Sequence, residues 1–272
     1  MYHLKNSIFI LAVLLSSCLH GMKGESSSAT VLPKENTVIS CDLDDFMTGA
    51  LEFPDDVCAE LSNENWKDVM THNCNRYPLL QRLYSDNADL IDRQLATRIE
   101  TSEGLLFVYP VMAVIETIKQ LKNKGYLVVA ATNQPVGSHI RNYRRALFNH
   151  YGIDLNDLFR AVLAVAPNRR NDSFAYCADK QNNIHAVFDE KPTAGYFNAL
   201  KELVLQLDNT VTKIVHIDDR EDNVRGAGRV NSMAGVHFNV PGGCVLEAKP
   251  EQLESAITNL KNDLKSHGVL LD

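Results

Sequence analysis

No apolar run in this sequence reaches the roughly 18–20 residues that cross a bilayer as a helix, which excludes a polytopic membrane protein. Tryptophan occurs once, proline nine times and glycine fourteen times, which rules out collagen-like, mucin-like and low-complexity chains. Cationic side chains are in the minority, with 27 Lys and Arg against 34 Asp and Glu. The net charge of −7 argues against a non-specific nucleic-acid binder, whose affinity comes from basic residues displacing counterions, so no nucleic-acid partner is expected. Neither a G-x-S-x-G elbow nor a G-x-x-x-x-G-K-[ST] loop occurs, and Gly226-Ala227-Gly228 lacks the G-x-G-x-x-G context. α/β-Hydrolase, P-loop and dinucleotide-binding readings therefore fall away. No cysteine pair has C-x-x-C or zinc-ligand spacing, so a thiolate metal site is not expected. What is there is 272 residues, 45% hydrophobic and 22% charged, enough for one large domain carrying an insertion.

Residues 1–18 read as a signal peptide. Lys5 lies in a short basic start, Ser7–Leu15 is an apolar segment too short to span, and Ser16-Ser17-Cys18 follows. Leu15-Ser16-Ser17-Cys18 resembles a bacterial lipobox, in which cleavage precedes a cysteine that is then lipidated. Plain export and an uncleaved anchor are the alternatives, and palmitate labelling of the wild type against Cys18→Ser separates them. Residues 19–36 are polar and Ser-rich, as in a flexible linker. The expected location is outside the cytoplasm: periplasmic or anchored to a membrane through Cys18, alternatively secreted. Cys58 and Cys74 share one helical region and are open as a disulfide or as two free buried thiols.

From residue 37 to 272 the patterning alternates. Short β-branched or apolar runs occur at Thr37–Cys41, Leu127–Thr132, Phe159–Val165, Lys213–Asp218 and Gly235–Val240. Helical spacing covers 55–72 and 78–100, then a segment opened by Pro110 and closed by Gly125, then 138–150, 193–207 and 220–231. Phe174–Asp179 and Asn183–Asp189 flank a polar turn, as in a hairpin. Strands interleaved with helices predict an α/β fold with a central parallel sheet flanked by helices. Trp66, Met70 and Phe148 are expected in the core. His139, Arg141, Arg144 and Arg145 are open either as contacts for an anionic substrate or as a solvated basic helix face.

Ligands of open α/β sheets sit at the carboxyl ends of the strands. The first strand ends in Asp42-Leu43-Asp44-Asp45, the second in Thr132-Asn133, and a later one in Asp218-Asp219 with Asp222 following. Lys191 precedes the 193–207 helix. So many acids at one edge repel one another unless a cation holds them ionised. An all-oxygen donor set suits Mg²⁺ rather than zinc, and Mg²⁺ with a Lys and a Thr nearby suits the oxygens of a phosphoryl group. A carboxylate at Asp42 is then placed to attack phosphorus as a nucleophile.

These four pieces, in this order and spacing, resemble the four motifs of the haloacid dehalogenase-like hydrolase superfamily over residues 37–245. The resemblance implies a Rossmann-like core in which Asp42 is nucleophile and Asp44 is general acid and then general base. It implies that Thr132, with Asn133 beside it, and Lys191 hold the phosphoryl group. Asp42, the Asp44 backbone carbonyl and Asp218 with Asp219 or Asp222 are the implied Mg²⁺ ligands. Members with Asp at both first-motif positions are mostly phosphatases. The family usually has Thr or Val four residues after the nucleophile; this chain has Phe46.

About 90 residues separate Asp42 from Thr132, more than the family core needs. The excess, near 50–104, reads as two or more helices forming a small cap over the site, which suits a small phosphorylated substrate. The expected function is a Mg²⁺-dependent phosphomonoester hydrolase; a catalytically inactive metal-binding scaffold that holds a partner is the alternative. A receiver-type phosphorylation module is disfavoured because its paired acids come first in the chain. No oligomeric state is implied.

Overall fold

Continuous apolar and β-branched runs make the strands of this chain, and the punctuation around them positions the site. The computed structural model describes residues 36–54, 98–100, 104–136, 138–166 and 176–271. Strand β1 (Thr37–Cys41) leads into an antiparallel set: β2 (Thr48–Pro54), β3 (Arg98–Glu100) and β4 (Gly104–Pro110). Then follow α1 (Met112–Asn123), β5 (Leu127–Pro135), α2 (Ser138–Tyr151), α3 (Leu155–Leu158), β6 (Val162–Val165), β7 (Tyr176–Asp179) and β8 (Ile184–Val187). The chain ends with α4 (Ala194–Leu207), β9 (Lys213–Asp218), α5 (Glu221–Ala227), β10 (Met233–His237) and α6 (Pro250–Ser266).

The main sheet has seven strands in the order β10-β9-β1-β5-β6-β8-β7. All neighbours are parallel except the β7–β8 hairpin. Successive residues of a strand face opposite sides, and the core divides accordingly. Ile39, Val128 and Val215 pack with the apolar stripes of α1, α2 and α6. Val38, Val129, Leu163 and Ile214 pack with Tyr196, Phe197, Leu200 and Leu203 of α4 on the other face. The sheet is thus covered on both sides, as a parallel sheet requires. The chain runs outward from β1 through β5, β6 and β8, then returns to β9 and β10 on the far side of β1. That reversal makes the β1–β9 boundary a switch point, where the strand ends open into a crevice.

Several expectations change. Helical spacing through Ile99 does not hold at Arg98–Glu100, which pairs with β4 as a strand. The two ends of the segment expected as a helical cap, Thr48–Pro54 and Gly104–Pro110, pair with each other in antiparallel register. GLLFVYP is a continuous apolar run, and such runs favour a strand when a partner run is available. Residues 55–97, with Trp66, Met70, Cys58 and Cys74, and residues 1–35 lie outside the described residues. The strand expected at Phe159–Val165 starts at Val162, because Asp154 caps a short helix, α3, just before it. α6 had no counterpart in the sequence reading, although Pro250 opens it and Leu253, Ile257, Leu260 and Leu264 form its buried stripe. Phe148 is not in the core: its side chain is 57% exposed.

Candidate active site

Asp42 follows directly on β1. The register pairs Cys41 with Ile217, and the Asp42 amide donates to the Ile217 carbonyl at 2.9 Å, which brings Asp42 level with Asp218 at the end of β9. After Asp42 the chain folds back on itself. The amides of Met47 and Thr48 both donate to the Leu43 carbonyl at 3.0 Å, and the Thr48 hydroxyl donates to the same oxygen at 3.2 Å. Asp45, at the tip, has φ 51°, a left-handed conformation that Asp tolerates better than most residues. This turn returns Asp44 to the mouth of the crevice. Phe46 stays out of it, fully buried with its ring edge-on to Phe238 at 5.0 Å. Phe46 is thus a core aromatic, and the turn is closed by the Thr48 hydroxyl.

Lys191 joins the two carboxylates. Its ammonium lies 2.9 Å from Asp42 Oδ1 and 2.7 Å from Asp218 Oδ2, with its side chain 1% exposed. Burial alone would lower the ammonium pKa, but the two carboxylates outweigh it and hold the value above the ordinary one. Asp42 also accepts the Leu43 amide on Oδ1 at 2.8 Å, so Oδ2 is the oxygen left for a ligand. Desolvation raises the Asp42 pKa well above the usual carboxylate range, with Lys191 opposing and Asp218 and Asp44 adding to the rise.

Asp218 is held from all sides. Oδ2 accepts Lys191 and His216 Nε2 (3.0 Å), while Oδ1 accepts the Arg220 amide (3.0 Å) and Asn223 Nδ2 (2.9 Å). Burial opposes ionisation, yet the His216 and Lys191 bonds prevail and keep its pKa below the ordinary value. His216 is fully buried, which keeps its ring neutral. A carboxylate can only accept, so Nε2 carries the proton and Nδ1 accepts the Ser40 hydroxyl at 3.1 Å. The sequence reading missed His216 and Asn223; both are buried, and neither sits in a motif that singles it out.

Thr132 and its neighbours form the third side. The Thr132 hydroxyl oxygen accepts the Gln134 amide at 3.1 Å, and its carbonyl accepts the Tyr196 hydroxyl at 3.0 Å. Asn133, expected at the substrate, is committed to Lys191: its Oδ1 accepts the Lys191 amide at 2.8 Å and its Nδ2 donates to the Lys191 carbonyl at 3.3 Å. It therefore holds the loop that carries the ammonium. Gln134, also missed, donates from Nε2 to Asp44 Oδ1 at 2.6 Å, while its own Oε1 is buried without a partner among the described residues. Desolvation, offset in part by that bond and by Lys191, raises the Asp44 pKa to about 6. Gly226 explains how α5 comes so near: a Cβ there would lie 2.5 Å from the Pro192 carbonyl beside Lys191.

For a cation, Asp42, Asp218 and Asp219 each offer an oxygen, all within 4.8 Å of one another. Asp222 does not join them. It occupies the first turn of α5 with its carboxylate turned to solvent, paired with Arg220 at 3.0 Å. The Asp44 carboxylate also lies outside this group, as the resemblance implies by assigning its backbone carbonyl instead. With its four acceptor directions already used, Asp218 fits the role of an anchor, and Asp42 Oδ2 and Asp219 are the freer donors. Desolvation, with the charges of Asp218 and Asp45, raises the Asp219 pKa to about 7. These oxygens fit a hard divalent cation such as Mg²⁺.

The raised carboxylates make stability depend on pH in the absence of metal. Asp42 and Asp219 bind their protons more tightly folded than unfolded, so their stabilising contribution is present at low pH and is lost as pH rises through about 7 for Asp219. Lowered His216 and His185 act oppositely, but their contribution is complete above the ordinary value of 6.5. The Tm of EDTA-treated protein is therefore expected to fall between about pH 6.5 and about pH 8, and Mg²⁺ to raise it most at the upper end. A flat or rising Tm over that range would contradict the raised carboxylates.

Asp42, Thr132, Lys191, Asp218 and Asp219, from four separate stretches of chain, meet at one edge of the sheet. No family model matches the chain, and no curated protein matches it. Among solved structures it is similar to an archaeal beta-phosphoglucomutase from Pyrococcus sp. strain ST 04, with 12% identity, a TM-score of 0.38, and 82% of this chain and 99% of that chain covered. It is also similar to cytosolic 5'-nucleotidase IIIB bound to cytidine, with 14% identity, a TM-score of 0.36, and 86% and 88% covered.

Proposed function

We propose that this protein is a Mg²⁺-dependent phosphomonoester hydrolase that works through an aspartyl-phosphate on a small phosphorylated substrate. The observation that carries the reading is the buried Lys191 ammonium shared between Asp42 and Asp218 at the ends of two adjacent parallel strands. Such a group favours the ionised form of a nucleophilic carboxylate against the desolvation that opposes it, and offers positive charge to an incoming phosphoryl group.

The Asp42 carboxylate attacks phosphorus, and the bond to the leaving oxygen breaks as that oxygen takes the proton of Asp44. Asp44 then removes a proton from water, whose oxygen attacks the same phosphorus. The bond to Asp42 breaks, releasing inorganic phosphate and restoring the carboxylate. An Asp44 pKa of about 6 supports both roles near neutrality. Gln134 fixes Asp44 Oδ1 and leaves Oδ2 as the proton-carrying oxygen. The Thr132 hydroxyl, already an acceptor from the Gln134 amide, has its own proton to give to a phosphoryl oxygen. Asp42 and Asp219, with the Asp44 carbonyl, would hold Mg²⁺, which supplies charge neutralisation at the phosphoryl oxygens.

The test is turnover of p-nitrophenyl phosphate by residues 37–272. Hydrolysis in Mg²⁺ that disappears in EDTA and returns on adding Mg²⁺ is the expected result. A folded protein that binds Mg²⁺ without turnover would replace the hydrolase with the metal-binding scaffold.

A further inference from the structure

A second polar concavity lies at the other end of the sheet. Arg141, Arg144, Arg145 and Phe148 recur at helical spacing along α2 and line it together with Asp154, Asn156 and Asn182; its volume is about 310 Å³. Its place in the fold separates it from the carboxylates. Asn182 lies two residues before β8, and Asn156 precedes β6, so both sit at the amino edge of the parallel sheet, whereas Asp42 and Asp218 sit at the carboxyl edge.

Its charge is unlike that of the chain as a whole. Asp179 lies 3.4 Å from the Arg141 guanidinium and Asp154 lies 3.5 Å from that of Arg144. Arg145 has no carboxylate partner among the described residues and touches only the amide oxygen of Asn142. Three guanidinium groups therefore face two carboxylates, leaving a local positive charge on a protein of net charge −7. Arg144 is held in place rather than solvated. Its side chain is 11% exposed, and it donates from one terminal nitrogen to the Asn182 carbonyl at 3.3 Å and from the other to Asp154 Oδ1 at 3.5 Å; a guanidinium carries five N–H donors, more than these two bonds take. Phe148 stands beside these groups 57% exposed, a large apolar ring that the core does not use.

We propose that this concavity binds a mononucleotide: a phosphomonoester dianion on the guanidinium groups of Arg144 and Arg145, with the flat base against Phe148. Guanidinium forks match phosphate oxygens in geometry and charge. An inorganic anion would gain nothing from the exposed ring, whereas a base stacks on it. The side-chain amides of Asn156 and Asn182 supply donors and acceptors for the base edges. The volume sits at the lower end of the roughly 300–1,000 Å³ range of small-ligand pockets. A long polyanion does not suit the site, because Asp154 and Asp179 flank the arginines and would repel neighbouring phosphates.

The site does not depend on the proposed hydrolase, and its test avoids that chemistry. Titration calorimetry of the full chain in EDTA, with AMP and inorganic phosphate as probes, keeps the three-carboxylate site free of the cation a phosphate would need there. Wild type and Asp42→Asn are expected to bind AMP alike. Arg145→Gln is expected to weaken AMP and phosphate by about tenfold, the loss of one charge-assisted contact. Phe148→Ala is expected to weaken AMP but not phosphate. Arg145 and Phe148 are exposed, so neither change threatens folding. Absence of saturable AMP binding to the wild type would overturn the proposal. So would AMP binding that Asp42→Asn abolishes and Arg145→Gln leaves unchanged, or an effect of Phe148→Ala that is the same for both probes.

Discussion

Asp42→Asn is expected to reduce phosphomonoester turnover by about a thousandfold or more while leaving a folded protein. The amide has the shape of the carboxylate, and its oxygen can still accept the Leu43 amide and the Lys191 ammonium. What it lacks is the ionised oxygen that attacks phosphorus. The stability terms oppose one another. Lys191 loses one of its two counterions, but a desolvated charge beside Asp218 and Asp44 is also removed. Circular dichroism and thermal unfolding should therefore match the wild type closely while p-nitrophenyl phosphate goes unhydrolysed. A variant with wild-type rates would take the nucleophile away from Asp42.

Lys191→Met should be damaging in both respects. Methionine fills the space of the lysine stem, so the change removes charge with little loss of packing. It leaves Asp42 and Asp218 buried next to each other without their cation. Removing one member of a buried, hydrogen-bonded ion pair destabilises by about 3–5 kcal/mol, and here one ammonium serves two carboxylates. The expected variant has a clearly lower Tm and no turnover, and Mg²⁺ raises its Tm more than it raises that of the wild type, because the ion replaces part of the missing charge. An unchanged Tm in EDTA would mean that the two carboxylates do not need Lys191, and the central element of the proposed site would fail.

The parts of this molecule that were legible in advance are those where one local rule decides the outcome. KIVHID is an apolar run closed by two acids, and β9 occupies those residues, Lys213–Asp218. The convergence of Asp42, Thr132, Lys191 and Asp218 was likewise readable, because all four end a strand or open a helix and a parallel sheet gathers such positions at one edge. Residues that act through others were not readable. His216 lies inside β9 and looks like any polar residue in a strand until Ser40 is seen opposite it in register. Gln134 and Asn223 carry amides, which in sequence suggest surface, and only the folded chain buries them against Asp44 and Asp218. Asp222 failed for the converse reason: proximity in sequence to Asp218 suggested a ligand, but the first turn of α5 points it outward. β2 and β4 were not read as strands: each needed the other as partner, 50 or more residues away in sequence.

The pairing of β1 with β9 joins residues 176 apart, as in the Ser40–His216 contact. Such a contact closes a very long loop, and the entropy lost on closure is recovered only when the strand zips into the sheet. Asp42 and Asp218 lie just beyond that pairing, and Lys191 reaches them from a third element. A partly formed sheet lacking β9 cannot bring Asp42, Lys191 and Asp218 together. The phosphoryl chemistry proposed for this protein would thus be silent while the chain is still being made or is only partly folded.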